Sequence, residues 1–216
     1  MLTFAREAGA RLLDLLFPPC CLTCGALAEP FCGACREAVQ PVPITVPLAE
    51  GVAAARSVGY HEGPLRKAIL RLKFGRKVAL AEPLGELMAL ELALVAEEWR
   101  PDALAAVPVH WSRRLERGFN QAELLARAVG KGARIPVLPA LRRLRATPHQ
   151  VGQTAEQRAS NLHDAFALDG GHPVSGRRIV LVDDVRTTGA TLAGCASVLR
   201  AAGASEVYAL TVTYDA

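Results

Sequence analysis

Two acids stand side by side at Asp183 and Asp184, and a hydroxyl-rich turn follows at once: Thr187, Thr188, Gly189, Ala190 and Thr191. Adjacent carboxylates accept hydrogen bonds from vicinal hydroxyls. A turn whose glycine takes positive φ can aim successive backbone N–H groups and threonine hydroxyls at one oxyanion, helped by the dipole of the helix that follows. Acids for hydroxyls beside a cradle for a dianion make a site for a phosphorylated sugar. Upstream, Ile179 to Val182 is all apolar and rich in β-branched side chains. That is the pattern of a strand covered on both faces in a parallel sheet. Open α/β sheets bind ligands at the carboxyl ends of their strands, so the acids are expected where this strand ends.

A second chemical cluster lies near the start of the chain. Five of the six cysteines fall between Cys20 and Cys35, and Cys21 with Cys24 and Cys32 with Cys35 form two C-x-x-C pairs. Two such turns, joined by a hairpin over Gly25 to Phe31, bring four thiolates around one tetrahedral ion, and zinc is the expected metal. Cys20 is an alternative ligand to Cys21. A disulfide framework fits poorly with a chain whose remaining length holds one further cysteine, Cys195, itself expected to be a small buried residue. So short a segment lacks a core of its own, and the metal is expected to be structural.

The third element is basic. The formal net charge is +4, but from His110 to Ser160 ten Arg or Lys stand against three Glu. Most of the positive field therefore sits in one stretch, which favours anionic partners. Within it, W-S-R-R-L-E-R-G-F-N-Q places Arg113, Arg114 and Arg117 on a loop, and Asn120 with Glu123 reads as a capping box opening a helix to about Val129. Guanidinium groups suit a polyanion through paired donors; a solvated basic loop is the alternative reading.

Elements to hold these groups can be placed around them. A length of 216 residues accommodates one α/β core and a small appended module. Gln40 to Pro47, with three prolines, reads as the boundary, giving residues 1–40 as an N-terminal amphipathic helix plus ribbon and 41–216 as the α/β domain. Strands are expected at Ala53 to Tyr60, Leu104 to Val109, Ile179 to Val182 and Val207 to Val212. Helices are expected at Gly63 to Phe74, with a solvated basic face, at Ala81 to Trp99, and at Ala190 to Ala202 stopped by Gly203. Arg142 to Asn161 is polar, poor in large apolar residues, and reads as a mobile lid or a plain surface connection. No apolar run is long enough to span a bilayer. The start, with Glu7 before and Pro18 and Pro19 after its apolar stretch, is unlike a signal peptide, so a cytoplasmic location is expected.

The segment from Ile179 to Thr191 resembles the 5-phosphoribosyl-1-pyrophosphate (PRPP) motif of type I phosphoribosyltransferases. That resemblance implies that Asp183 and Asp184 hold the ribose hydroxyls as the catalytic acids, that Thr187 to Thr191 bind the 5-phosphate, and that the Arg113, Arg114 and Arg117 segment takes the pyrophosphate with Mg²⁺. It also implies a phosphoribosyltransferase-like parallel sheet flanked by helices. Over nearly its whole length the chain is similar to the ComF family of competence proteins, through L-L-D-L-L-F-P-P-C-C-L-T-C-G, the R-L-K-F around Lys73, V-P-V-H-W-S-R-R-L-E-R-G-F-N-Q-A-E-L-L-A, R-A-T-P-H-Q and the PRPP motif. Gln153 departs from the apolar residue usual in similar proteins. The family resemblance implies a role in natural transformation, acting on incoming single-stranded DNA with a helicase-like competence ATPase. An active Mg-dependent phosphoribosyltransferase with an N-nucleophile acceptor, or a PRPP-sensing regulator, are the other functions open to such a site. The chain stops soon after Val212, so a base-binding hood is expected only from about Pro41 to Phe74, where Tyr60, His61 and Phe74 are the candidates to stack a base, and nucleobase salvage is disfavoured.

Overall fold

The computed structural model describes residues 19–43, 49–144, 165–171 and 173–216. Its centre is the apolar strand, β6, which runs Arg178–Arg186, longer at both ends than the four residues expected. Side chains alternate across a strand, and here both sides are apolar because both are covered. Ile179 and Leu181 join one buried cluster with Leu192, Cys195 and Leu199. Val180 and Val182 join another with Leu84, Leu125 and Val129.

In chain order the described elements are α1 (Gly33–Glu37), β1 (Ala55–Tyr60), α2 (Gly63–Lys73), a short 3₁₀ turn (Val78–Leu80), α3 (Ala81–Ala93), α4 (Ala96–Trp99), β2 (Ala103–Ala106), α5 (Trp111–Arg117), α6 (Gln121–Ala133), β3 (Val137–Leu138), β4 (Leu141–Arg143), β5 (Phe166–Leu168), β6, α7 (Ala190–Ala201) and β7 (Glu206–Tyr214). Five strands form one sheet in the order β1-β7-β6-β2-β3, every pair parallel. Residues of α2, α3 and α6 pack on one face and residues of α7 on the other. A parallel sheet flanked by helices, with a cysteine ribbon before it, is the fold expected. Strands β4 and β5 pair antiparallel in a separate two-stranded ribbon. The Leu2 to Phe17 helix, Gln153 and the lid from residue 145 to 161 lie outside the described residues.

Three local expectations are corrected. The single helix over Ala81 to Trp99 is two, because Val95 leaves helical geometry at φ −123°. That break lets Trp99 turn inward to stack on Tyr208, ring centroids 4.6 Å apart; tertiary burial outweighs continuous helix propensity. The basic loop is helix α5, opened by His110, whose ring nitrogen accepts from Ser112 N, and closed by Gly118 at φ 85°. The capping box does not close: Asn120 caps α6 by accepting from Ala122 N while its amide donates to Val107 O, and Glu123 pairs with Arg114 instead. Helix α6 then continues past Val129 to Ala133.

Candidate functional site

Strand length decides what the acid pair can meet. Strand β2 pairs with β6 only as far as Ala106 opposite Val182, while β7 continues alongside to Tyr214. From Asp183 onward β6 is therefore uncovered on its β2 side, and a crevice opens there. The acids lie within the last part of the strand, Asp183 opposite Thr211, and not beyond its end as expected. The β2 chain turns away at Val107, whose N–H still donates to Val182 O at 2.9 Å, so Pro108 to His110 border the same crevice.

Asp184 is 3% exposed and Asp183 partly so. Asp183 accepts from Asp184 N at 2.8 Å. The Lys73 ammonium lies 2.5 Å from Asp184 Oδ2, an oxygen with no hydrogen-bond partner among the described residues, so the ion pair is what balances this buried charge. Burial, then the neighbouring Asp184 charge, pushes Asp183 well above the ordinary carboxylate range, and Lys73 partly offsets both. Lys73 closes α2, on the helix read from sequence as a solvated basic face. Its role was missed because 110 residues separate it from Asp183, and only the β1-β7-β6 strand order brings them together.

Behind the acids, a column of hydroxyls fills the sheet. Ser57 and Thr211 hydroxyls meet at 2.7 Å, His61 Nδ1 lies 2.9 Å from Thr213 Oγ1, and that hydroxyl reaches Asp184 O at 3.4 Å. Burial depresses the His61 pKa, with Asp215 opposing. Of the other candidates for a hood, Tyr60 lies against Tyr214, 6.2 Å between centroids, and Phe74 is exposed beneath the Arg117 guanidinium at 5.1 Å.

The turn after β6 has the form its residues predicted. Thr187 and Thr188 are exposed, Gly189 caps α7 in the left-handed region at φ 78°, and Ala190 N lies 3.5 Å from Thr188 Oγ1. A Cβ on Gly189 would stand 2.8 Å from Ala49 Cβ. Gly189→Ala is accordingly expected to cost about 1–2 kcal/mol from the left-handed backbone, and more from that contact. The check is the urea midpoint, and an unchanged midpoint would mean that the turn relaxes freely. Arg186, just before it, is buried with its guanidinium 4.4 Å over the Tyr214 ring.

The three arginines of α5 separate. Arg114 is spent on Glu123 at 2.8 Å. Arg117 donates to Gln121 at 3.1 Å and lies within the field of Asp184; burial, then the Arg113 charge, lowers its pKa. Burial, then the same Arg113 charge, also lowers that of Arg143, which feels Asp183. Lys73 thus pairs with the acids directly, Arg117 and Arg143 lie within their field, and Arg113 lies within the field of those two arginines. Arg143 was legible in sequence only as the start of the polar segment at Arg142.

The four sulfurs of Cys21, Cys24, Cys32 and Cys35 lie within 4.8 Å of one another, with Cys21–Cys35 at 3.7 Å and Cys24–Cys32 at 3.6 Å. Zinc–sulfur bonds of ~2.3 Å in a tetrahedron give sulfur–sulfur edges of about 3.8 Å, so the group fits a metal such as zinc. Cys20 is exposed and not among the four. Burial works to raise the Cys21 thiol, but hydrogen bonds from Cys24, Cys32 and Thr23 backbone outweigh it and bring it to about 6. Burial, then the other sulfurs, drives Cys35 strongly upward. Four thiolates can ionise together here only around a cation.

A parallel sheet covered on both faces, with polar groups gathered at a strand's carboxyl end, defines an open α/β protein, a class whose ligand sites lie at such strand ends. No protein-family model matches the chain. It is 34% identical over 180 residues to the DNA utilization protein YhgH of Escherichia coli (strain K12), covering 82% of this chain and 74% of that one. Competence protein F of Haemophilus influenzae is 34% identical over 155 residues, 69% of this chain and 68% of its own. The chain belongs to the ComF family of competence proteins, which includes these relatives. Among solved structures, the glutamine PRPP amidotransferase from B. subtilis complexed with ADP and GMP is 20% identical with a TM-score of 0.46, over 66% of this chain and 30% of its own. No helix among the described residues is long and apolar enough to cross a membrane.

Proposed function

We propose that this protein binds PRPP in the crevice at the end of β6 and handles incoming single-stranded DNA in natural transformation, in the cytoplasm and together with a helicase-like ATPase. The observation that carries the PRPP reading is the uncovered end of β6, where an acid pair, a glycine-pivoted hydroxyl turn and a group of cations meet. Asp183 and Asp184 accept from the ribose hydroxyls, Thr187 to Thr191 with Gly189 and Ala190 cradle the 5-phosphate, and Arg113 and Arg117 face the pyrophosphate. Lys73 already neutralises Asp184, so Mg²⁺ arriving with PRPP would serve to neutralise the diphosphate charge beside Asp183 and the arginines. The DNA reading rests on family membership and on the basic stretch from His110 to Ser160. The cysteine cluster holds structural zinc, and residues 1–40 and 41–216 act as ribbon and ligand-binding domain.

Calorimetry with PRPP and Mg²⁺, comparing wild type with the Asp183→Asn, Asp184→Asn protein, tests the site. We expect at least a hundredfold loss of affinity, about 2.8 kcal/mol, with zinc content unchanged. Equal affinity would overturn the assignment. For the DNA reading, wild type should shift single-stranded DNA at low salt and release it steeply as salt rises.

A further inference from the structure

We infer that the cleft over the carboxyl ends of β2 and β3 is the docking site for single-stranded nucleic acid, with Trp111 as its base-stacking platform. This rests on the DNA reading above and names the surface that would carry it. The cleft has a volume of about 620 Å³; it shares Pro108, Val109 and Arg143 with the neighbourhood of the acid crevice but is walled by neither the acid pair nor the phosphate turn. Its floor is apolar, with Ala106 and Leu138, and its rim carries Arg114, Arg127, Arg142 and Arg143 against two acids, Glu123 and Asp169. One of those acids is already taken by Arg114 at 2.8 Å.

Trp111 is the telling residue. The chain has two tryptophans. Trp99 is buried and stacked on Tyr208, whereas Trp111, in the first turn of α5, is 63% exposed on the cleft wall. Trp111 touches the His110 ring, 5.3 Å between centroids, and otherwise offers a flat apolar face beside guanidinium groups that attract phosphate. Base–aromatic stacking plus a positively charged path for the backbone is how single strands are held. Concavity chooses between nucleic acids. A cleft of this size admits one or two unstacked bases, which a single strand presents and a duplex keeps inside its stack. Because β2 neighbours β6 in the sheet, the cleft lies beside the strand that carries the acid pair.

The test is a titration of the full-length protein with a 15-residue oligothymidylate, following tryptophan fluorescence and repeating it over a range of salt. Wild type should show quenching from Trp111. Trp111→Ala should bind about tenfold more weakly, the equivalent of about 1.4 kcal/mol and within the range for one stacked base, and Trp111→Phe should recover most of it. Arg127→Gln with Arg142→Gln should lower the slope of log affinity against log salt by about 1.4, roughly 0.7 for each lost phosphate contact. All of these proteins should keep wild-type PRPP affinity and wild-type melting temperature. If wild type binds the oligonucleotide but neither the affinity nor the slope changes in the variants, the cleft assignment is overturned and DNA binding lies elsewhere. If thymidine monophosphate binds as tightly as the 15-mer, the cleft is a free-nucleotide site and the inference is equally overturned. No binding by wild type at low salt would remove the DNA reading itself.

Discussion

Replacing Lys73 by Met is expected to destabilise the protein by about 3 kcal/mol at neutral pH, because it leaves Asp184 buried without its counter-charge. The Lys73 side chain is 19% exposed and that of Asp184 4%, so the pair is screened little by solvent and the loss lies far above that of a surface ion pair. The effect should depend on pH with a definite sign. Asp183 is pushed above its ordinary value in the folded state, so its contribution to stability is greatest in acid and is lost as pH rises from the unfolded carboxyl range through the raised folded value. Removing Lys73 takes away a cation that holds that value down, and the loss then extends to higher pH. Urea denaturation of wild type and Lys73→Met from pH 4 to 8 should give curves that converge in acid and separate towards neutrality. The Lys73→Met, Asp184→Asn double variant should recover most of the loss, because a neutral amide needs no partner ion. A constant gap across pH, or a double variant as unstable as the single, would show that Lys73 acts through packing alone.

Lys73 also marks where reading the chain stops. The acid pair, the turn and the cysteine spacing are local patterns, and each is legible because the residues that do the work are neighbours in sequence. The double coverage of β6 was legible for the same reason, since four consecutive apolar residues leave neither side for water. What could not be read is set by pairing between distant elements. Nothing in R-L-K-F says that Lys73 turns inward, and nothing in W-S-R-R-L-E-R says that Arg114 bonds Glu123 while Arg117 lies within the field of Asp184. The split of the Ala81 to Trp99 helix has the same origin: its Pro83 and Gly85 fall in the opening turns, no glycine or proline stands at the break at Val95, and the cause is Trp99 finding Tyr208. The acids were placed past the strand's end because apolar pattern stops at Val182, whereas backbone pairing with β7 carries on through Asp183 to Arg186. Hydrophobic pattern reports coverage of side chains, and hydrogen bonding along an edge outlasts it.

Cys35→Ser should have the largest effect on stability, costing several kcal/mol, because it takes one of the four thiolates from the group proposed to hold zinc. Zinc-finger peptides draw ~10–16 kcal/mol from a structural zinc, and a four-ligand site reduced to three keeps only part of that. The loss should reach beyond the ribbon. Cys21, Phe31, Cys32 and Cys35 belong to the same buried cluster as Leu65, Ile69 and Leu84 of α2 and α3, and Phe31 is fully buried there. Arg71 of α2 donates to Leu22 O at 2.5 Å, and Arg36 bridges to Glu86 of α3 at 3.0 Å, so the ribbon is tied to the helices that cover one face of the sheet. Losing its order would uncover part of the core beside Lys73 and weaken the crevice from behind. Elemental analysis should give one zinc per chain for wild type and none for Cys35→Ser, with a lower guanidinium midpoint and earlier proteolysis within residues 19–37. Cys20→Ser supplies the control, since Cys20 is exposed and outside the four-sulfur group: its metal content and midpoint should match wild type. Metal lost from Cys20→Ser but kept in a Cys21→Ser protein would exchange the two ligands, and metal kept in Cys35→Ser would dismiss the four-thiolate site.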